Sequence, residues 1–403
     1  MLKNNKTKIF LIILIYLIFY NISFNGFNII SNFIKKQSDR ADRYKIKRFL
    51  KFCSNPNTKI KNFEIKQNPK ISIISPIFNR KKFLMRFLKS LQYQNFKDIE
   101  IILVDDFSND NSTKLIKEFQ KKDKRIVLIK NRKNKGTFIS RNIGVLFSKG
   151  KYVNIPDPDD ILSKDILNTC YKLAERFNYD IIRYNIVLEN GKLINELFIN
   201  SIKNGPIYQP ELSNYIFYRN KTLRLNDFYT TNKIIKKEIF TKALNLIDKH
   251  CLNIYMTYYE DGLINYLIHL SGKSLYYLKK VGYLYPKNNE SVQNSKHYKY
   301  KKLKAKFFFI YLKFVFEYSK NNQNGKDSIN AIFVSFKRDF NLLNLLSKST
   351  FKKDLYFYKN ITTTLLNSEF INNSSKKIVK NIKEILNRKS NKYFHKNLFH
   401  KNV

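Results

Sequence analysis

The sequence predicts an α/β fold in which a mainly parallel sheet is flanked by helices. Three observations indicate this organisation. From Lys70 to about residue 157, short apolar runs of strand type alternate with amphipathic helical segments. Residues 9–20 are apolar without a break, and basic helical segments replace the alternation after about residue 298. We therefore expect an N-terminal transmembrane segment, a central α/β domain and a C-terminal helical extension.

The N-terminal apolar stretch predicts a membrane anchor. Residues 9–30 are about long enough to cross a bilayer, and they follow Lys3, Lys6 and Lys8, which favours a cytosolic N-terminus. A cleaved signal peptide is the alternative, although no small-residue cleavage site is visible. We expect a single-pass membrane protein, oriented as type II in the Golgi or endoplasmic reticulum of a eukaryote, or otherwise in an inner membrane.

The central alternation places polar residues where strands end. The runs KISIISPIF, DIEIILVDD, RIVLIKN and KYVNIPD are of strand type, and RKKFLMRFLKSLQ, TKLIKEFQKK and FISRNIGVLFSK between them are helical. Asn79, Asp105–Asp106 and Asp157–Asp160 follow three of these strands. Ligands of such sheets bind at the carboxyl ends of the strands, so this pattern predicts a binding site there.

The run NIPDPDDIL carries a candidate cation site. Asp157, Asp159 and Asp160 lie together in a chain with 76 Lys and Arg but only 31 Asp and Glu. Carboxylates this close repel each other unless a cation lies among them, and Mg²⁺ or Mn²⁺ prefers such oxygen ligands. The alternative is an Asp-rich turn that caps the next helix.

The formal charge of +45 does not by itself identify a partner. Lys, Asn, Ile, Phe and Tyr are enriched along the whole chain, which indicates broad compositional bias rather than one basic face. No specific nucleic acid is expected, although a basic nucleic-acid-binding protein is kept as an alternative. The three cysteines and five histidines form neither a disulfide framework nor a metal-ligand spacing.

Four blocks, taken in order, resemble the family 2 glycosyltransferases, whose fold is the Rossmann-like GT-A fold. The blocks are ISIISPIFNRKKFL, IEIILVDDFSNDNST, NKGTFISRNIGVLFSKGKYVNIPDPDDIL and YYEDGLINYLI. The resemblance covers residues 70 to about 290. It implies four regions: an anchor at 1–30, a stem at 31–69, a GT-A domain at 70–297 and the extension at 298–403.

The resemblance implies an inverting hexosyl- or N-acetylhexosaminyltransferase. It would use a nucleotide-diphosphate sugar of the UDP-sugar class and a divalent metal, Mn²⁺ or Mg²⁺. The acceptor is a hydroxyl of a glycan, protein or lipid, and a polyprenyl phosphate is a further alternative. The residues that match the family's nucleotide-binding positions are Pro76, Phe78, Asn79, Asp105, Asp106, Arg141 and Asp157. An Asx-turn is the alternative role for Asp105, and a surface position is the alternative for Arg141. Phe107 replaces the family's usual glycine.

The DPDD run matches the family's DxD motif. The match implies that Asp159 binds the metal, with Asp160 nearby and Asp157 on the ribose or a metal-bound water. Glu260–Asp261 match the family's ED motif, which implies Asp261 as the catalytic base and Glu260 as a residue that orients the acceptor. First-turn acids that complement a helix dipole are the alternative. A catalytically silent GT-A adaptor at a membrane also stays open as a function.

Overall fold

The computed structural model describes residues 40–194 apart from 56, 60 and 65–67, then 205–209, 212, 229–247, 255–257 and 259–286, and isolated positions from 311 onward. The strands of this part are β1 Ile71–Ile77, β2 Ile99–Asp105, β3 Ile126–Lys130, β4 Tyr152–Asn154, β5 Ile161–Leu162, β6 Ile181–Leu188, β7 Gly205–Tyr208, β8 Lys233–Lys236 and β9 Ser274–Tyr285. Its helices are α1 Lys81–Gln92, α2 Ser112–Lys122, α3 Thr137–Phe147, α4 Ile166–Phe177, α5 Lys237–Asn245 and α6 Glu260–Ser271.

One half of the sheet is parallel, as the sequence predicts. β1 lies between β2 and β4 and is parallel to both, and β3 extends the sheet in parallel beyond β2. All residues of β1 and β2 are buried, as is usual for parallel strands covered on both faces. The predicted strands and helices of this half are confirmed in their predicted order.

The other half of the sheet is mixed, so the prediction of a mainly parallel sheet is wrong there. β8 runs antiparallel between β4 and β6, and β9 is parallel to β6. β5 and β7 are antiparallel to β9.

Helix packing fixes the orientation of the site. In α1, the predicted apolar face of Phe83, Phe87, Leu88 and Leu91 is buried in the core. A Cβ added at Gly144 of α3 would lie 2.3 Å from Cγ2 of Ile74, so only glycine lets α3 approach β1 this closely. This contact directs the first turns of α3 toward the carboxyl ends of the strands.

The regions that flank the domain are described only in part. Residues 40–54, within the predicted stem, are helical and bury Ile46 and Cys53, while Arg43 donates to the carbonyl oxygen of Gly191 at 2.8 Å. This part of the stem therefore packs on the domain. The predicted anchor and most of the C-terminal extension lie outside the described residues. In the described part of the chain, no helix is long and apolar enough to cross a bilayer.

Candidate active site

A cleft of about 290 Å³ opens at the carboxyl ends of the central strands. It brings together most residues that the sequence singles out, although they come from five separate segments of the chain. The predicted site residues that line it are Pro76, Phe78, Asp106, Arg141, Asp157, Asp159, Asp160, Glu260 and Asp261. Asn79 and Asp105 lie outside the lining and are held in the turns beside it.

Asn79 connects the turns that follow β1 and β2. Its backbone N–H donates to Oγ of Ser108 at 3.0 Å, and its side-chain oxygen accepts from the N–H of Asn109 at 2.9 Å. Its φ of 52° lies in the left-handed region that asparagine tolerates better than most residues. Asn79 thereby positions Phe78, whose half-exposed ring lies in the cleft wall.

Asp105 and Asp106 have different structural roles. Asp105 accepts from the N–H of Ser108 at 3.2 Å and from Oγ1 of Thr113 at 3.0 Å, so it closes the turn and holds the first residues of α2. Asp105 thus has a turn-closing role, although its amide partner lies three residues on rather than the two of the expected Asx-turn. Asp106 lies at the cleft and is buried, and its carboxylate accepts 2.8 Å hydrogen bonds from the Asn131 side chain and the N–H groups of Lys135 and Gly136.

Phe107 has a backbone conformation that favours glycine. Its φ is 71°, in the left-handed region that costs a side-chain-bearing residue about 1–2 kcal/mol. The ring is 60% exposed, so little packing offsets this strain. The turn after the carboxylates is thus formed in spite of the substitution.

Arg141 is the central cation of the cleft. Its guanidinium, with a side chain only 6% exposed, contacts three carboxylates from two regions of the chain. One terminal nitrogen donates to Asp157 at 2.7 Å, and the other donates to Asp261 and lies 3.5 Å from Glu260. Because both terminal nitrogens contact acids, Arg141 joins residues 157–160, the DPDD turn, to the start of α6.

Tyr283 of β9 makes two hydrogen bonds to the DPDD turn. Its hydroxyl accepts from the N–H of Asp157 at 3.0 Å and donates to Asp160 at 2.6 Å. Arg86 of α1 adds a hydrogen bond to the carbonyl oxygen of Asp159 at 2.8 Å. These contacts leave the Asp157 and Asp159 side chains partly exposed while Asp160 is buried.

Electrostatics show that this turn has an excess of negative charge. Burial raises the pKa of Asp160 well above its usual range, and the charges of Asp159 and Asp157 raise it further. Tyr283 and Arg86 oppose the rise but do not cancel it. A cation added beside the turn would therefore stabilise the ionised carboxylates.

Burial acts on both acids that open α6, but they differ in access to solvent. Burial raises the pKa of Glu260 to about 8, the charge of Asp261 adds to this, and Arg141 opposes it. Burial also raises the pKa of Asp261, with Arg141 as the main opposing charge and a 2.7 Å hydrogen bond from Oγ1 of Thr230. The Asp261 side chain is 18% exposed and that of Glu260 only 9%. Asp261 is thus the more accessible of the two.

The carboxylates fit a hard divalent cation that is shared with a substrate. Among the residues that the structure describes, no group of three or more His, Cys, Asp and Glu side chains forms a metal-binding cluster. Asp157 and Asp159 nevertheless present partly exposed carboxylates beside a turn with excess negative charge. Mg²⁺ sites of this kind need only one or two carboxylates, because substrate phosphates and waters complete the coordination.

Several residues of the site were not predicted from the sequence. Tyr283, Thr230 and Arg86 orient Asp160, Asp261 and Asp159 respectively, and Asn131 orients Asp106. None was singled out by a sequence motif, and Tyr283 is one of 27 tyrosines. Their pairing across long chain separations is visible only in the fold.

Comparison with known proteins finds matches to glycosyltransferases. Residues 72–244 match the sequence profile described as "Glycosyl transferase family 2". The chain is 30% identical to glycosyltransferase GlyA of Streptococcus pneumoniae over 54% of this chain and 30% of that protein. It is 35% identical to the GalNAc(5)-diNAcBac-PP-undecaprenol beta-1,3-glucosyltransferase of Campylobacter jejuni, over 32% of this chain and 42% of that protein. The chain thus spans less than half the length of either relative.

A solved structure shows the same fold. A fragment of S. aureus TarS, residues 1–349 in complex with UDP, superimposes with a TM-score of 0.50 at 17% identity. The match covers 79% of this chain and 88% of the fragment. The GT-A-like α/β architecture, with its mixed sheet, is therefore shared between the two.

Proposed function

Because residues 72–244 of this chain form a glycosyl transferase family 2 domain, we propose that the protein transfers a sugar from a UDP-sugar to an acceptor hydroxyl with inversion. One observation carries the proposal. The acids of the DPDD turn and those that open α6 meet in one cleft, where Arg141 contacts both groups. A direct displacement needs both the groups that assist the leaving group and the base for the acceptor in one cleft.

The chemistry of the acceptor side follows from protonation and access. In the proposed reaction, the acceptor oxygen bonds to the anomeric carbon, the bond from that carbon to the diphosphate breaks, and Asp261 takes the hydroxyl proton. Glu260, with a pKa of about 8, is protonated near neutral pH and so donates a hydrogen bond rather than accepting the proton. Thr230 and Arg141 hold Asp261 in place.

The donor side is assigned to the DPDD turn and the turn after β2. Asp159, with Asp157 and Asp160 beside it, would hold Mn²⁺ or Mg²⁺, which when bound supplies positive charge for the departing diphosphate. Asp106 and the cleft faces of Pro76 and Phe78 are assigned to the nucleotide. The UDP bound to the S. aureus TarS fragment supports a uridine nucleotide here.

The acceptor and the location of the protein are assigned more broadly. The Campylobacter jejuni relative is named for an undecaprenol-linked glycan, which supports a glycan acceptor, free or attached to a lipid or protein. An anchor at residues 9–30 would hold the domain at a membrane, consistent with an acceptor of that kind.

A donor screen on the full chain in detergent tests this function. We expect one or more UDP-sugars to be hydrolysed or transferred with Mn²⁺ and not with EDTA, and the product anomer seen by proton NMR to be inverted. A folded protein that turns over no nucleotide sugar with Mn²⁺, or a retained anomer, contradicts the proposal.

A further inference from the structure

A second cavity, of about 530 Å³, lies between helical residues 40–54 and the domain. It shares no lining residue with the catalytic cleft. One wall comes from the helical residues, and the other comes from the end of α1, the turn before α4 and the middle of β9. Its volume is within the range of small-ligand sites.

The rim of this cavity is positively charged. Five cationic side chains and two carboxylates line it, and the five are Lys45, Arg48, Lys61, Lys164 and Lys280. One of the two acids, Asp165, accepts a hydrogen bond from the side-chain amide of Asn95. The cavity therefore has a net attraction for anions.

Aromatic rings form the wall behind the cations. Phe49 and Phe52 stack with ring centroids 6.2 Å apart, and Phe52 meets Tyr93 edge-on at 4.7 Å. Nζ of Lys61 lies 4.1 Å from the centre of the Tyr93 ring. Phe52 is nevertheless 42% exposed, so the rings present apolar surface beside the charged rim. A ligand that matches both features carries an anionic group next to an apolar body.

We propose that this cavity, the basic aromatic pocket, binds the phosphate headgroup of an anionic phospholipid. Cations with neighbouring exposed aromatic rings are the chemistry of a membrane-surface site. The exposed side of the same helical residues adds Tyr44 and Lys51 to this surface. The apolar stretch 9–30 ends ten residues before residue 40, and ten extended residues span at most about 35 Å. The pocket is therefore within reach of a bilayer that holds this stretch.

The absence of tryptophan from the chain allows a direct test, because a single introduced tryptophan becomes the only indole reporter. The full chain with Phe52→Trp, in uncharged detergent micelles, is titrated with brominated phosphatidylglycerol or brominated phosphatidylcholine. We expect quenching by the anionic lipid at much lower concentration than by the zwitterionic one. Lys45→Gln with Arg48→Gln should weaken the apparent affinity for the anionic lipid about 30-fold, since each surface cation contributes about fivefold.

Phe177→Trp is the matched control. Phe177 is also half-exposed, and it lies twelve residues along α4 from Asp165, or about 18 Å at 1.5 Å per residue. Equal quenching at both positions, equal quenching by both lipids, or no quenching at position 52 overturns the proposal. The proposal is also overturned if an acidic oligosaccharide binds more tightly than the lipid and displaces it fully. The pocket would then be a site for an acceptor glycan. Unchanged far-ultraviolet circular dichroism establishes that each variant is folded.

Discussion

Arg141 and Asp261 form a partly buried ion pair between α3 and α6, although 120 residues separate them in the chain. The same guanidinium holds Asp157 at 2.7 Å. A donor-side acid and the proposed base are therefore fixed relative to each other by one side chain, and the start of α6 depends on a residue of α3.

Replacing Arg141 should destabilise the domain. Arg141→Met leaves the partly buried carboxylates of Asp157 and Asp261 without their cation. Breaking a fully buried pair typically costs about 3–5 kcal/mol, so we expect a loss near the lower end, about 3 kcal/mol. Arg141→Lys should cost less, because it keeps the charge but cannot contact acids on two sides. Denaturant unfolding measures both. The exposed Arg176→Met is the control, expected within about 0.5 kcal/mol of the parent. Equal stability of Arg141→Met and the control would contradict this role.

The raised pKa of Glu260 predicts a stability that falls as pH rises. The group has a pKa of about 8 in the folded protein, against 4.5 ordinarily, so the folded state binds the extra proton. The contribution of the protonated Glu260 to the free energy of unfolding is complete below about pH 4.5. It is lost as pH rises through 8, and the free energy of unfolding falls by up to about 1.4 kcal/mol per pH unit.

Glu260→Gln, neutral at every pH, should flatten that slope when denaturant unfolding is measured from pH 5 to 9. Glu175→Gln is the control, because hydrogen bonds from Lys151 and Tyr152 lower the pKa of Glu175. The stability that Glu175 contributes through this lowered pKa is present above pH 4.5 and is lost only in acid. In Glu175→Gln, the slope of stability against pH above pH 5 should therefore match that of the parent. An unchanged slope in Glu260→Gln would show that Glu260 is ionised in the folded state.

Glycine at position 107 should stabilise the protein. Phe107→Gly removes the strain of a left-handed backbone, worth about 1 kcal/mol, and the exposed ring contributes little packing. Phe107→Ala separates the two effects, because it removes the ring but keeps a Cβ. We expect a higher melting temperature for the glycine variant only. A rise of equal size in the alanine variant would show that the ring, and not the backbone, is responsible.

The metal and nucleotide assignments predict different binding defects. Asp159→Asn removes a charged oxygen ligand, so it should abolish most of the difference in UDP affinity between Mn²⁺ and EDTA. Asp106→Asn should weaken UDP binding under both conditions, because its proposed partner is the base. Calorimetry distinguishes these patterns. UDP affinity in the parent that does not depend on Mn²⁺ would contradict the metal assignment.

The parallel half of the fold was predictable, because strands and helices alternate cleanly from β1 to β4 and each strand is rich in apolar residues. The mixed half was not, since β6, β7 and β8 carry no local signal of their pairing partner. Within the site, Asp106, Arg141, Asp157 and Asp261 were identified by matching family motifs. Their partnership was not predicted, because it depends on how α6 lies against α3.

Supporting residues were the least predictable part of the site. Tyr283 holds both Asp157 and Asp160, yet it lies in an ordinary apolar strand about 125 residues after them. Thr230 comes from a segment without a motif. Such residues act through orientation, and orientation follows from long-range packing rather than from local composition.

The central claim is that Asp261 is the base of a glycosyl transfer carried out in this cleft, and Asp261→Asn tests it most directly. Turnover of the donor found in the screen is measured beside calorimetric affinity for UDP with Mn²⁺, in the parent and in this variant. We predict that turnover falls about 10²-fold or more while UDP affinity stays nearly unchanged. Turnover equal to that of the parent, or a loss of UDP affinity that matches the loss of turnover, would contradict the account.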